Sequence, residues 1–215
     1  MEAIYDTMDG HFGDLAWWPA QTPFEVIVGA ILTQNTAWRN VERAIVNLKD
    51  ARIMSPAGLL AAEDKTVAEL IRPSGYFNVK TRRLKSFVHY LEEFQGGDLD
   101  RMFACNMWQL RESLLGIHGI GKETADSILL YAGGKAVFVV DAYTKRILLR
   151  HGMIREDAEY DDIQQLFMKN LPGDTALFNQ YHALIVNIGK TYCNKKDPQC
   201  HLCPLNGMAY GRRKS

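Results

Sequence analysis

Apolar residues recur at helical spacing along most of this chain. The pattern predicts helices over residues 24–33, 41–48, 56–60, 67–71, 80–94, 108–115, 122–131, 144–151, 160–171 and 174–189. One run breaks the pattern. Residues 136–140, Ala-Val-Phe-Val-Val, are apolar and mostly β-branched, which by pattern alone reads as a strand. A lone strand builds no sheet, so an extended link between helices is expected. No internal repeat and no low-complexity segment interrupts the series. The expected fold class is all-α.

The segment between the helices at 108–115 and 122–131 carries the first chemical signal. Gly116-Ile117-His118-Gly119-Ile120-Gly121 cannot continue a helix, because three glycines are too costly in a helix interior. A glycine turn feeding a helix start presents backbone N–H groups and the positive end of the helix dipole. It suits a phosphate backbone, holding position without reading sequence. A turn of this form also joins ordinary helices, so the surrounding residues have to decide. Downstream, Asp141 closes the apolar run and precedes a helix expected to start near Ala142. Aspartate is a favoured N-cap, and a plain cap is one reading of it. A carboxylate delivered to a nearly dry site is the other.

Gly116 to Lys122, followed by Val139-Val140-Asp141, resembles the helix-hairpin-helix (HhH-GPD) DNA glycosylases, in particular the endonuclease III branch. Leu32-Thr33-Gln34-Asn35-Thr36 is similar to the family's segment lining the base pocket. Tyr76-Phe77-Asn78-Val79-Lys80 is similar to its glycine–tyrosine turn, and Cys193, Cys200 and Cys203 to its C-terminal metal loop. The resemblance covers nearly the whole chain. It implies two helical domains with a central cleft. One is a bundle at about 22–135 that contains the hairpin; the other joins 1–21 to 136–215 and the metal loop. It also implies monomeric action on double-stranded DNA containing damaged bases.

By the same resemblance Asp141 is the catalytic residue. Breaking an N-glycosidic bond develops positive charge on the sugar, which a carboxylate can stabilise, or it can activate the attacking water. The bifunctional members carry a lysine nucleophile two residues after the last hairpin glycine. Here that residue is Glu123, which forms no Schiff base. Lys122 is adjacent, but one helical residue turns a side chain by about 100°. Water is therefore the expected nucleophile, and an intact abasic site the expected product. Gly119, Gly121, Lys122, Thr124 and Lys145 are the expected DNA contacts, with Gln34 entering the gap left by the flipped base or meeting the opposite base. Arg146 is a further phosphate candidate, while His118 is expected to be a surface turn residue and Tyr76 a packing residue.

The base pocket is expected from Trp17, Trp18, Pro19, Gln34, Trp38 and Glu123. Trp38 lies one helical turn beyond Gln34 if that helix continues. This aromatic set resembles the branch that removes alkylated purines such as 3-methyladenine. An N3-alkylated adenine is cationic, gains from an aromatic face, and already has a weak glycosidic bond. Packing alone is the competing reading for these tryptophans. Mismatch-specific thymine or uracil glycosylases and oxidised-base glycosylases stay open, as does a non-catalytic DNA-binding module.

Composition narrows this picture without deciding it. The chain has 215 residues, 47% of them hydrophobic, and a formal net charge of zero. Zero net charge leaves room for local basic stripes at Lys80–Lys85, Lys145–Arg150 and Arg212–Lys214, each of which also reads as a solvated face. No apolar run reaches membrane-spanning length, and no signal-peptide pattern opens the chain, so a soluble, cytoplasmic protein with no membrane partner is expected. Cys105 is isolated and is expected to be a buried thiol; the other three cysteines cluster at the end, which favours metal over disulfides.

The spacing Cys193-x6-Cys200-x2-Cys203 matches three positions of the family's [4Fe–4S] loop. The fourth cysteine would fall at the position of Ala209. An all-cysteine cluster needs four thiolates. A cluster with a non-cysteine ligand or a labile iron, a three-iron form, zinc with another ligand, and a metal-free relic all remain open. His201 adjoins Cys200 too closely for good chelate geometry. An iron–sulfur cluster with a structural role is the expected cofactor.

Overall fold

The computed structural model describes residues 1–15 and 20–208. Its helices are α1 (Glu2–Phe12), α2 (Pro23–Leu32), α3 (Trp38–Asp50), α4 (Pro56–Ala61), α5 (Asp64–Leu70), α6 (Phe77–Gln95), α7 (Leu99–Ala104), α8 (Met107–Leu115), α9 (Lys122–Ser127), α10 (Ala142–Arg150), α11 (Tyr160–Asn170) and α12 (Thr175–Thr191). A wide π-turn, Ile128–Ala132, continues α9. The described residues contain no strand, so the fold is all-α. None of their helices is long and apolar enough to cross a membrane. The chain divides into two compact units, Ala20–Lys135 and a second that joins Met1–Pro19 to Ala136–Ser215.

In the first unit α2 is the central element. Every residue from Phe24 to Leu32 is buried, which explains its continuous apolar sequence. Thr22 caps it, accepting from the Glu25 N–H, and Pro23 occupies the first turn. At its other end Lys80, only 1% exposed, reaches in from α6. Its Nζ donates to the carbonyls of Leu32 at 2.8 Å and Ser74 at 2.7 Å. Burial, helped by nearby Arg83, lowers the Lys80 pKa to about 8. The helix ends there, and Asn35 turns the chain with a left-handed φ of 56°. The helix thus does not continue from Gln34 to Trp38, and Trp38 opens α3 instead.

The hairpin helices α8 and α9 are locked by a buried ion pair. Arg111 donates from Nε to Asp126 Oδ1 at 2.6 Å and from Nη2 to Oδ2 at 3.0 Å. Asp126 is wholly buried and Arg111 nearly so. Two parallel bonds fix angle as well as distance between the helices.

In the second unit residues 137–140 are buried yet form no ladder. Side chains of α11 take the place of a partner strand. Gln164 Nε2 donates to the Phe138 carbonyl at 2.7 Å, the Phe138 N–H meets Met168 Sδ at 3.4 Å, and the Val140 N–H donates to Tyr160 Oη at 3.3 Å. The Phe138 ring stacks on Phe167, with centroids 3.7 Å apart, and meets Phe178 and Tyr181 edge-on. Helix α1, absent from the sequence expectation, packs on α12 and accepts the Tyr181 hydroxyl at the Met1 carbonyl, 2.9 Å away. Its three acidic residues and the glycine in its last turn obscure the apolar face that buries Ile4 and Met8. Cys105, expected to be buried, is half-exposed at the end of α7.

Removing one partner of the Arg111–Asp126 pair breaks both of its bonds and takes this counter-charge from a buried group. Asp126→Ala is expected to cost about 3–5 kcal/mol of unfolding free energy. Replacing both residues with apolar ones of similar volume should restore most of it. Chemical denaturation of the three proteins checks both outcomes.

Candidate active site and cysteine loop

Asp141 stands where the buried link ends, at the N-cap of α10. Its Oδ1 accepts from the Thr144 N–H at 2.7 Å and from the Thr144 hydroxyl at 2.9 Å. The Asp141 N–H returns a bond to Thr144 Oγ1 at 3.4 Å, completing a capping box. Oδ2 lies 3.6 Å from Nε2 of His182, which α12 supplies. The Asp141 side chain is 12% exposed and that of His182 7%. Burial alone would raise the Asp141 pKa, but His182 and the two Thr144 bonds outweigh it and hold the carboxyl below its ordinary value. The site therefore holds an ionised carboxylate in nearly dry surroundings. Sequence reasoning missed His182, because its only local signal is a polar residue on the apolar face that buries Phe178 and Ile185.

In the Ala20–Lys135 unit the hairpin turn is tied from below. Gln34 Nε2 donates to the Gly119 carbonyl at 3.2 Å and to Thr124 Oγ1 at 2.8 Å. Its Oε1 accepts from Arg83 Nη1. Gln34, expected to reach into DNA, thus has both ends of its amide bonded within its own unit. Thr124, expected at a phosphate, is buried. Gly119 has φ 85°, and a Cβ there would sit 2.3 Å from Arg83 Cγ. Gly121, the N-cap of α9, has open space instead, and no side chain closes that helix start. His118 and Glu123 are exposed and Lys122 half-buried. Tyr76, expected to pack, is 72% exposed with a left-handed φ of 46°. Trp38 is half-buried. Trp17, Trp18 and Pro19 lie outside the described residues, as does Ala209.

The basic residues of α10 are used internally. Lys145 Nζ donates to the Ala158 carbonyl at 2.7 Å. Arg146 donates to the carbonyls of Cys193 at 2.8 Å and Gly189 at 3.2 Å. Arg150 donates from Nη1 to Cys193 Sγ at 3.1 Å and to the Asn194 carbonyl at 2.8 Å. Helix α10 thus carries Asp141 at one end and grips the cysteine loop at the other.

Cys193, Cys200 and Cys203 line one cavity of about 300 Å³. Burial raises the Cys203 pKa and the like charge of the other two sulfurs adds to it, against a bond from the Leu205 N–H. Among the described residues no three His, Cys, Asp or Glu side chains are gathered tightly enough to hold a single ion. The three thiols border one shared space, and either zinc or an iron–sulfur cluster would need a further ligand beside them.

The profile of the HhH-GPD superfamily of base excision DNA repair proteins matches residues 28–173. A Methanocaldococcus jannaschii protein, described provisionally as a DNA repair glycosylase, is 47% identical over 209 residues, 94% of this chain and 92% of its own. Endonuclease III of Sulfolobus acidocaldarius is 29% identical over 183 residues, 85% of this chain and 79% of its own. The crystal structure of H. pylori 3-methyladenine DNA glycosylase bound to 1,N6-ethenoadenine superposes with a TM-score of 0.76 at 31% identity, covering 87% of this chain and 96% of that one. The chain belongs to the HhH-GPD superfamily and is a DNA glycosylase of that family.

Gly119→Ala combines a left-handed φ with a collision against Arg83, and should lower stability by about 1–3 kcal/mol, read by denaturation. Asp141 contributes in the opposite sense to a raised group. Its lowered pKa adds stability that is complete above the ordinary aspartate value and lost as pH falls through the folded one. The stability gap between wild type and Asp141→Asn should accordingly be flat near neutral pH and shrink in acid, measured by denaturation across a pH series.

Proposed function

We propose that this DNA glycosylase is monofunctional and removes an alkylated purine of the 3-methyladenine type from duplex DNA. The observation that carries the chemistry is Asp141, ionised, nearly dry, fixed by Thr144 and faced by His182. Such a carboxylate stabilises positive charge developing on the sugar, or orients and deprotonates the attacking water. Water is the nucleophile on this reading, because Glu123 stands where a lysine would be needed. The glycine turn and the open start of α9 take phosphates by their backbone N–H groups. Gln34 must exchange its bonds to Gly119, Thr124 and Arg83 for contacts to DNA, or stay as the strut that shapes the turn.

The choice of base rests on Trp17, Trp18 and Trp38 as an aromatic supply, and on likeness to a 3-methyladenine enzyme solved with a purine adduct. Stacking on an electron-rich face favours a cationic base. We infer further that Cys193, Cys200 and Cys203 hold an iron–sulfur cluster in the cavity they line. When bound, it would cross-link the loop to the body of its unit and so hold structure rather than perform chemistry. This chain's own contribution is the three thiols, with Arg150 donating to Cys193 Sγ.

Single-turnover assays on methylated DNA and on T·G, U·G and thymine glycol duplexes test this reading. Release of methylated adenine, with strand breaks only after alkali, is the expected result. Asp141→Asn should lower that rate by at least about 100-fold while leaving duplex affinity within a few-fold. Borohydride should trap no covalent complex. Excision confined to T·G or U·G would transfer the protein to the mismatch class, and borohydride trapping would overturn the water mechanism.

A further inference from the structure

We propose that His151 supplies the fourth ligand of the iron–sulfur cluster, completing a three-cysteine, one-histidine set. The proposal rests on the cluster reading above. Three cysteines leave one corner of a four-iron cluster without a protein ligand. His151 lines the same cavity as Cys193, Cys200 and Cys203. It stands at the C-cap of α10, next to Arg150, whose bonds to Cys193 Sγ and to the Asn194 and Lys195 carbonyls fix that helix end against the loop.

One ring nitrogen is also already engaged. His151 Nδ1 lies 2.8 Å from the Met208 carbonyl oxygen. A carbonyl only accepts, so Nδ1 carries the proton and, in the neutral ring, Nε2 carries the lone pair. Donation of the second ring N–H to a backbone carbonyl is the usual way a ligating histidine is held. Met208 immediately precedes Ala209, the position at which the spacing calls for a fourth thiolate. His151 therefore meets the chain at Met208, one residue in sequence before that position. His201 is a weaker candidate, since it is exposed in the turn Cys200–Leu202, beside a ligand. A neutral imidazole in place of a thiolate leaves the cluster less negative and shifts its potential upward.

The test uses the full chain, reconstituted anaerobically with iron and sulfide. Iron and sulfide content and visible absorption would be compared for wild type, His151→Ala, and His151→Ala combined with Ala209→Cys. Reduced wild type carrying 15N-histidine would be studied by pulsed electron paramagnetic resonance. The proposal expects nitrogen coupling to the cluster in wild type, loss of about one iron or of the whole cluster in His151→Ala, and recovery in the double variant. The nitrogen coupling needs no variant to fold. Wild type with a full cluster and no nitrogen coupling, or His151→Ala with unchanged iron and spectrum, would overturn the role of His151 alone. Wild type that takes up neither iron nor sulfide would overturn the cluster reading, and this proposal with it.

Discussion

The second unit depends on burying an extended segment without a sheet. A buried N–H or carbonyl left without a partner costs about 1–3 kcal/mol, and residues 137–140 carry several. Tyr160, Gln164 and Met168, spaced by four on α11, present one row of side chains to that backbone. The Phe138–Phe167 stack clamps the same segment from the side. The link therefore arrives at Asp141 in a fixed register. Asp141 then starts α10, so that catalytic candidate and helix cap are one residue.

Helix α10 passes that order onward. Its nine residues span about 14 Å, from the carboxylate at its N-terminus to Arg150 and His151 at the cysteine loop. Arg146 and Arg150 use their guanidinium donors on the Cys193 and Asn194 carbonyls, on Cys193 Sγ and on the Gly189 carbonyl of α12, which ties the loop to both helices. A cofactor that rigidifies the loop would thus also restrain the helix that Asp141 caps.

The first unit solves a related problem with buried charge. Lys80 closes the C-terminus of α2, Arg83 and Gln34 brace the hairpin turn, and Arg111 with Asp126 sets its helices. Lys80, Gln34, Arg111 and Asp126 are hydrogen-bonded where they are buried, so each specifies a geometry that apolar packing would leave looser, whereas Arg83 bonds through Nη1 and leaves its buried Nε without a partner. The start of α9 carries no side-chain cap on its backbone N–H groups. Glycine at 121 keeps that approach open, while glycine at 119 is demanded by φ and by Arg83.

The all-α class, the hairpin, the glutamate at the lysine position and the incomplete cysteine set were all legible in the sequence. The all-α class and the hairpin rest on local periodicity and glycine spacing, while the other two were legible only against the family's motifs. The run at 136–140 was legible as apolar, but its partners were not, because they lie on a helix that begins twenty residues later. His182 was invisible for the same reason: a lone histidine on an apolar stripe signals nothing until folding sets it beside Asp141. The end of α2 at Leu32, which separates Gln34 from Trp38, was decided by Asn35 and by a buried lysine from α6. His151 looked like a helix-end residue until Met208 and the cysteines were brought around it. Sequence determined which chemical groups this protein has and how its helices repeat. Only tertiary structure decided which groups meet, because burial, hydrogen-bond satisfaction and the direction of each side chain depend on residues far away along the chain.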